Sequence, residues 1–470
     1  MIKKYSSTTV AGVISVGIYF FVIGMLLFYF NSRDEKKPIH YVKKNENKIV
    51  YIWEASNISQ IIYESDMPPF HNIAPRITIS SFSSWEEITS WYYDISREQS
   101  KADADIKAKV AELIQGKDTD EEKIRAIYHY VITEIRYLGL EFGISGHMPH
   151  EAAEIYKYKY GDCKDKATLL IAMLREADIE AYYVLLRTRY SGELDLNLPS
   201  FQFDHAIAAV SLNGELMFLD GTAENFVYGD LPAMDQDAWA MVLIDGKGEF
   251  MKIPVQPAEE NQRTREIKLD LAKDGSIKVE AIISQSGIFA SYYRSIFKDL
   301  GETKRSEAIQ NSLSSSCPGS VLEEFNFSDL ADLDVPVEQK YKFRAPHYAK
   351  KIGNKLQFKP SIIERVESTS IVAKEERRYP MYFYNQYCSK NKIEITIPDN
   401  FKIERIPNDV ELKLPFASYE IKYLIEGNII KYERNYKFNT FEISKEDYPS
   451  FKEFIERIAK EDAQEIILKQ

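Results

Sequence analysis

Apolar residues recur along this chain with different periods, and each change of period marks an element. From Val10 to Phe30 there is no charge, and the run is mostly Val, Ile, Phe, Leu and Gly. At ~1.5 Å per residue a helix of that length spans about 31 Å, matching a bilayer's hydrocarbon core of ~30 Å. Residues 10–30 therefore predict one N-terminal transmembrane helix after a short tail, 1–9. A cleaved signal peptide fits less well, because its apolar region is normally shorter and no small-x-small site precedes Asn31. Residues 31–48 are polar and charged and read as a linker. Across 49–84 the texture is strand-like: Ile49 to Trp53, then the rigid turn Met67-Pro68-Pro69-Phe70, then the extended run Arg76 to Ser80. From Trp85 the period becomes helical, with Trp85, Ile88, Trp91, Tyr92 and Ile95 on one face; these aromatics read as core. Thr119-Asp120-Glu121-Glu122 has the form of a capping box and opens a helix carrying Ile124, Ile127, Tyr128, Val131 and Ile135. That helix should end near Arg136-Tyr137, where Gly139, Gly143 and Gly146 break the pattern.

A second helix start follows at Gly161-Asp162-Cys163. Cys163, Ala167, Leu170, Leu174 and Ala177 recur at helical spacing, and Asp162 is suited to cap the first turn. Ile179 to Thr188 reads as a buried strand. Phe203 to Leu212 and Glu215 to Gly221, joined by Asn213-Gly214, form the strongest hairpin signal in the chain. Lys252 to Pro257 looks like a linker. Beyond it, alternation at Ile267, Leu269 and Leu271 reverses through Asp274-Gly275 into Ile277, Val279, Ala281 and Ile283. Further strands are expected at Ile393 to Ile397, Val410 to Leu414, Tyr419 to Leu424 and Ile429 to Tyr432, with helices near 303–314 and 446–460. The pattern predicts an α+β core over 85–250 and a mostly β domain over 258–470, with the strand-like segment 49–84 too short to stand alone.

Composition narrows the function classes. The net charge is -12, from 60 Lys+Arg against 72 Asp+Glu, which argues against nucleic acid as the main partner. Three cysteines cannot make a disulfide framework, and no Cys/His cluster has zinc-ligand spacing, so no metal or organic cofactor is implied. If Cys163 stays free, Cys317 and Cys388 could pair in an oxidising compartment. His147 and His150 in the glycine-rich loop could clip a metal, but with no matching carboxylate or Cys they read as loop packing; the loop also lacks the Gly-Lys-Ser/Thr of a phosphate loop. Nothing in the sequence fixes the oligomeric state.

The candidate chemistry comes from turning the hairpin into geometry. With a two-residue turn at 213–214, Ile207 faces Asp220 and His205 faces Thr222, so His205 and Asp220 share one face as diagonal neighbours. Their Cβ atoms should then lie within roughly 7–8 Å, close enough for an imidazole–carboxylate hydrogen bond. A lone Cys is more often a small buried residue than a nucleophile. An ordinary thiol is only about 3% thiolate at pH 7, and a helix N-terminus adds only ~0.3–1 kcal/mol, whereas an imidazolium partner shifts the balance by several pKa units. His205 is thus the residue a thiol mechanism needs most, with Lys164 or Lys166 only assisting.

Tyr160-Gly161-Asp162-Cys163-Lys164-Asp165-Lys166-Ala167, Phe203-Asp204-His205-Ala206 and Phe218-Leu219-Asp220-Gly221-Thr222 resemble the three motifs of the bacterial transglutaminase-like superfamily, papain-like in core architecture. Met67-Pro68-Pro69 and Arg136-Tyr137 through Gly146 are similar to a subgroup in which an uncharacterised β-rich domain precedes the core and a second follows it. The resemblance implies Cys163 as nucleophile, His205 as general base and acid, and Asp220 as its orienter. It implies a peptidase, amidase or transglutaminase acting on a protein or peptide, or else an idle scaffold that binds partners at the cell envelope. Two departures stand out: the upstream β domain is reduced to 49–84, and a membrane span stands where relatives often carry an export signal. Arg33, Lys36, Lys37, Lys43 and Lys44 outnumber Lys3 and Lys4, and the positive-inside rule alone would leave the domains in the cytoplasm. The resemblance implies instead an extracytoplasmic, periplasmic-type placement on a single-pass anchor.

Overall fold

The computed structural model describes residues 14–20, 27–31, 39–45, 48–55, 59–139, 142–366 and 369–470. The element that organises its first half is the helix Cys163–Glu176. Asp162 caps it, accepting from the Asp165 amide, while Asp165 returns a bond to the Asp162 amide, closing a capping box that leaves Cys163 as the first helical residue. The apolar spacing predicts one buried stripe, but every residue from Lys164 to Leu174 is buried. The reason is that the helix is clasped on all sides. It packs on the strands His205–Leu212 and Ala181–Leu186, and on the helices Ala104–Leu113, Asp120–Glu134 and Ala152–Tyr158. Its polar residues are satisfied locally: Lys164 pairs with Asp162, the Lys166 ammonium donates to the Ile135 carbonyl at 2.6 Å, and Thr168 bonds the Lys164 carbonyl and the Tyr183 hydroxyl.

The sheet beneath it has five strands, in the order Glu215–Leu219, His205–Leu212, Ala181–Leu186, Trp239–Ile244, Lys247–Lys252, all antiparallel. The Asn213-Gly214 turn sets the hairpin register expected from its two-residue length, with Glu215 opposite Leu212 and Leu219 opposite Ala208. Both turn residues have positive φ, as the tight hairpin requires. The capping box at Thr119 forms as its sequence predicts, and Trp85–Ser96 lays Ile88 and Tyr92 into the same core. The helix Ala104–Leu113 is an addition to the sequence reading; its weak apolar stripe, Ile106 and Val110, gave little signal beside its charges.

The second half is built on an eight-stranded sheet in the order 321–327, 337–345, 277–285, 262–271, 387–396, 429–438, 417–426, 410–414. Its one parallel pair joins Gln262–Leu271 to Tyr387–Thr396. A four-stranded sheet and the helix Tyr448–Asp462 contribute to the core behind it. The helix Glu302–Ser316 forms where one was expected near 303–314, while the helix Gly287–Phe297 and the strands Val321–Phe327 and Val337–Ala345 fill stretches that the pattern left unassigned. Cys317 and Cys388 are both buried free thiols, so the pairing open to them is not made.

The predicted transmembrane helix over 10–30 is not what the described residues show. Ile14–Phe20 is a strand antiparallel to Lys48–Ala55, and Leu27–Asn31 is a strand antiparallel to Arg76–Ser80; residues 10–13 and 21–26 lie outside the described residues. Among the described residues no helix is long and apolar enough to cross a membrane. The physical source of the difference is composition: Val, Ile, Tyr and Phe fit a pleated strand as well as a lipid-facing helix, so apolar length alone does not separate the two.

Candidate active site

Three elements converge at the N-terminus of the Cys163 helix. The first is the helix start itself, where the Cys163 thiol is partly exposed while Asp162 and Asp165 beneath it are buried. Gly161 permits that start, because a Cβ there would fall 2.5 Å from the Asp165 Cβ. The second element is the beginning of the strand His205–Leu212. The third is the end of its hairpin partner, where the chain turns at Asp220-Gly221-Thr222. Gly221 lets this turn lie against the helix: a Cβ would stand 3.2 Å from the Lys166 Cβ.

At the meeting point the His205 ring, only 8% exposed, has its Nε2 3.3 Å from Asp220 Oδ2. The Cys163 helix packs on the strand that His205 opens, and the thiol at its start is near enough to favour the charged form of the ring. Asp220 is fully buried and held from several directions: Thr222 donates its amide at 2.7 Å and its hydroxyl at 2.8 Å to Oδ1, and the Tyr128 hydroxyl donates to the Asp220 carbonyl at 3.2 Å. The structure thus brings together Cys163, His205 and Asp220, each contributed by a different element end.

The electrostatics favour a charged pair. Burial disfavours the imidazolium, but the Asp220 carboxylate, its hydrogen bond and the Cys163 thiol outweigh that and hold the His205 pKa well above 6.5. Burial likewise disfavours the Asp220 carboxylate, yet His205 and the Thr222 donors bring its pKa below 3.8. The two lysines expected to assist are engaged elsewhere: Lys164 with Asp162, and Lys166 with the Ile135 carbonyl and, at 3.7 Å, Glu224. His147 packs its ring against Phe201 and Trp91, and His150 bonds the Asp165 carboxylate at 3.1 Å, so both loop histidines buttress the helix start.

Residues 107–252 match the family described as the transglutaminase-like superfamily. These residues are a transglutaminase-like core. Residues 353–468 match a domain of unknown function, DUF3858, so the transglutaminase-like core is followed by a C-terminal domain of that kind. A crystal structure of a "putative protease" from Parabacteroides distasonis superposes on 97% of this chain and 72% of its own length, with a TM-score of 0.63 at 12% identity. At that identity the likeness is one of fold, and it extends over the transglutaminase-like core and the β-rich regions on either side. A "putative cysteine protease" from Cytophaga hutchinsonii aligns over 44% of this chain and 66% of its own at 13% identity, but its TM-score of 0.22 is too low to carry an argument. No curated protein matches the chain.

One buried residue beside His205 and Asp220 was not legible in the sequence. Asp235, fully buried in the excursion between Leu219 and Trp239, lies with Oδ1 3.9 Å from His205 Nε2. Its neighbours Met234, Gln236 and Asp237 give it no motif, and nothing local foretells that the loop folds back beneath the hairpin. One side-chain atom each of His205, Asp220 and Asp235 lie within 4.8 Å of one another. Two buried carboxyl groups thus stand beside one imidazole, Asp220 at 3.3 Å and Asp235 at 3.9 Å from Nε2.

Proposed function

We propose that this protein is a thiol acyl-transfer enzyme that cleaves or transfers an amide or peptide acyl group through Cys163, His205 and Asp220. The observation that carries the reading is the His205 ring flanked by the Cys163 thiol and the Asp220 carboxylate at a helix N-terminus. In the first half-reaction His205 holds the thiol proton and the Cys163 sulfur attacks the substrate carbonyl carbon. The backbone amide of Cys163, in the first turn of the helix and free of an intrahelical acceptor, is placed to stabilise the oxyanion. Collapse of the tetrahedral intermediate breaks the C–N bond as the imidazolium gives its proton to the leaving amine, leaving a thioester. In the second half-reaction His205 takes a proton from water or an acceptor amine, that nucleophile displaces the sulfur, and the thiol is restored. Asp220 keeps the ring in the required orientation and stabilises its charged form.

A protein or peptide is the proposed substrate class. Tyr137, half exposed, pairs across from Gly161 in a short parallel ladder, and Leu138 beside it is also exposed, so an apolar rim stands next to the helix start. An extracytoplasmic location belongs to the same proposal and rests on the resemblance to exported relatives; a reporter fused after Gln470 that is active only outside the cytoplasm tests it.

The reading is tested by the pH dependence of Cys163 alkylation with iodoacetamide. A reactive pair gives a rate that stays high below pH 7 and drops in His205→Ala. A profile rising only near 8.5, identical in both proteins, marks a binding scaffold instead.

A further inference from the structure

We infer that Asp235 is a fourth member of the site, a positioning residue that works as a neutral carboxylic acid and donates its proton to Asp220. The inference rests on the triad reading above and concerns how Asp220 is held.

The geometry leaves Asp235 few alternatives. Both of its oxygens are buried, and among the described residues no donor reaches either one. The polar groups nearest to it are His205, with Nε2 3.9 Å from Oδ1, and Asp220, with a carboxylate oxygen within 4.8 Å. Two carboxylates cannot share a hydrogen bond without a proton between them; Asp220 already accepts from Thr222 and His205 as a carboxylate does, with acceptor capacity left, whereas Asp235 accepts from nothing. The proton must therefore sit on the partner that accepts nothing, which is Asp235. Two fully buried carboxylates this close to one another, with a single imidazole between them, cannot both ionise. The surrounding groups add no cation to change this. Facing Asp235 are His205 and Asp220 from the hairpin, Asp204 just before it, Tyr128 from the helix Asp120–Glu134 and Tyr190 from the loop after Ala181–Leu186. Arg189, whose amide bonds the Met234 carbonyl, directs its guanidinium to the carbonyls of Ala233, Phe383 and Tyr384. Burial and the Asp220 charge accordingly push the Asp235 carboxyl well above 3.8.

The consequence for the site is specific. A neutral donor fixes Asp220 on the side away from His205, keeping Oδ2 aimed at Nε2, without adding a second negative charge. An ionised Asp235 at 3.9 Å would compete with Asp220 for the same Nε2 proton and draw the ring out of line.

The test uses the full chain and iodoacetamide, read at pH 6, with thermal unfolding confirming that each variant is folded. Asp235→Asn keeps the shape and an N–H donor to Asp220; Asp235→Leu keeps a branched side chain of similar shape but removes the donor. The inference expects the Asn variant to alkylate Cys163 within about threefold of wild type and the Leu variant to lose at least tenfold. In the infrared difference between wild type and Asp235→Asn at neutral pH, a protonated-carboxyl C=O band should belong to the wild type. A tenfold loss in Asp235→Asn would show that a carboxylate is needed and overturn the inference. Full reactivity in Asp235→Leu overturns it equally, leaving Asp235 as packing. If the wild type itself behaves as an ordinary thiol, the triad reading fails and this inference falls with it; a reactive wild type with an inactive Asn variant removes this inference alone.

Discussion

At the scale of single residues, the site is a set of opposed protonation preferences. The raised His205 pKa contributes stability that is complete below 6.5 and is lost as pH climbs through the folded value. The lowered Asp220 pKa contributes stability present above 3.8 and lost as pH falls through its folded value. Asp235 has the opposite sense from Asp220: with its folded pKa raised, the unfolded chain releases its proton first, so folding becomes less favourable as pH rises above 3.8. Each retained proton steepens the decline by up to about 1.4 kcal/mol per pH unit. We expect Asp235→Asn to gain stability relative to wild type as pH goes from 5 to 8, a trend that chemical denaturation at each pH would measure. A constant difference across that range would show that Asp235 does not hold an extra proton in the folded state.

At the scale of elements, the helix start is where a small change should do most harm. The Asp162 carboxylate caps the first turn through the Asp165 amide and pairs with buried Lys164, so Asp162→Ala removes two partners at once. Cap loss alone costs about 0.5–2 kcal/mol, and stranding the Lys164 charge should take the total above that range, read as a lower denaturation midpoint. Gly161→Ala acts on the capping box by contact: its Cβ cannot fit 2.5 Å from the Asp165 Cβ, so Asp165 must leave both Asp162 and His150. Loss of Cys163 reactivity at pH 6 together with stability is the expected result; unchanged alkylation would separate the cap from the chemistry. The caps and the hairpin turn were readable from sequence because they depend on residues three or four apart. Within 10–30 the described strands Ile14–Phe20 and Leu27–Asn31 pair with residues 48–55 and 76–80, and no local pattern records such pairing.

At the scale of the whole molecule, the transglutaminase-like core and the C-terminal region are joined by part-buried polar contacts as well as by the linker. Arg189 of the core places its guanidinium over the Phe441 ring and bonds the carbonyls of Phe383 and Tyr384. Leu333, from the C-terminal half, is buried in the core's own apolar cluster. The segment before the core straps both: Asn72 accepts from the Glu193 amide, while Glu64 accepts from the amides of Arg378 and Tyr379. Arg189→Ala should leave these carbonyls without a donor, at about 1–3 kcal/mol for each group that stays buried, and so loosen the two halves. Limited proteolysis should then cut faster between 253 and 261 than in wild type; equal rates would show that the other contacts suffice. Within the C-terminal domain the corresponding weak point is Asp462, which pairs with Arg434 at 2.9 Å and accepts from the Tyr419 hydroxyl at 2.6 Å, both buried. Asp462→Ala should cost about 3–5 kcal/mol by leaving the buried Arg434 guanidinium with only Glu364, at 4.0 Å, as a counter-charge, measurable as a fall in thermal midpoint.

The sequence by itself determined whatever short-range chemistry can enforce: the capped helix that puts Cys163 first, the Asn213-Gly214 register that sets His205 beside Asp220, and the alternating strands of the second half. Those features follow from hydrogen bonds and side-chain periods acting over a few residues. Only the tertiary structure decided that the Cys163 helix is buried on every side, that the apolar start of the chain contains paired strands, and that Asp235 returns from a featureless loop to stand beside Asp220. These depend on contacts between segments far apart in the chain, where burial and the cost of an unpaired charge, rather than local propensity, select the arrangement.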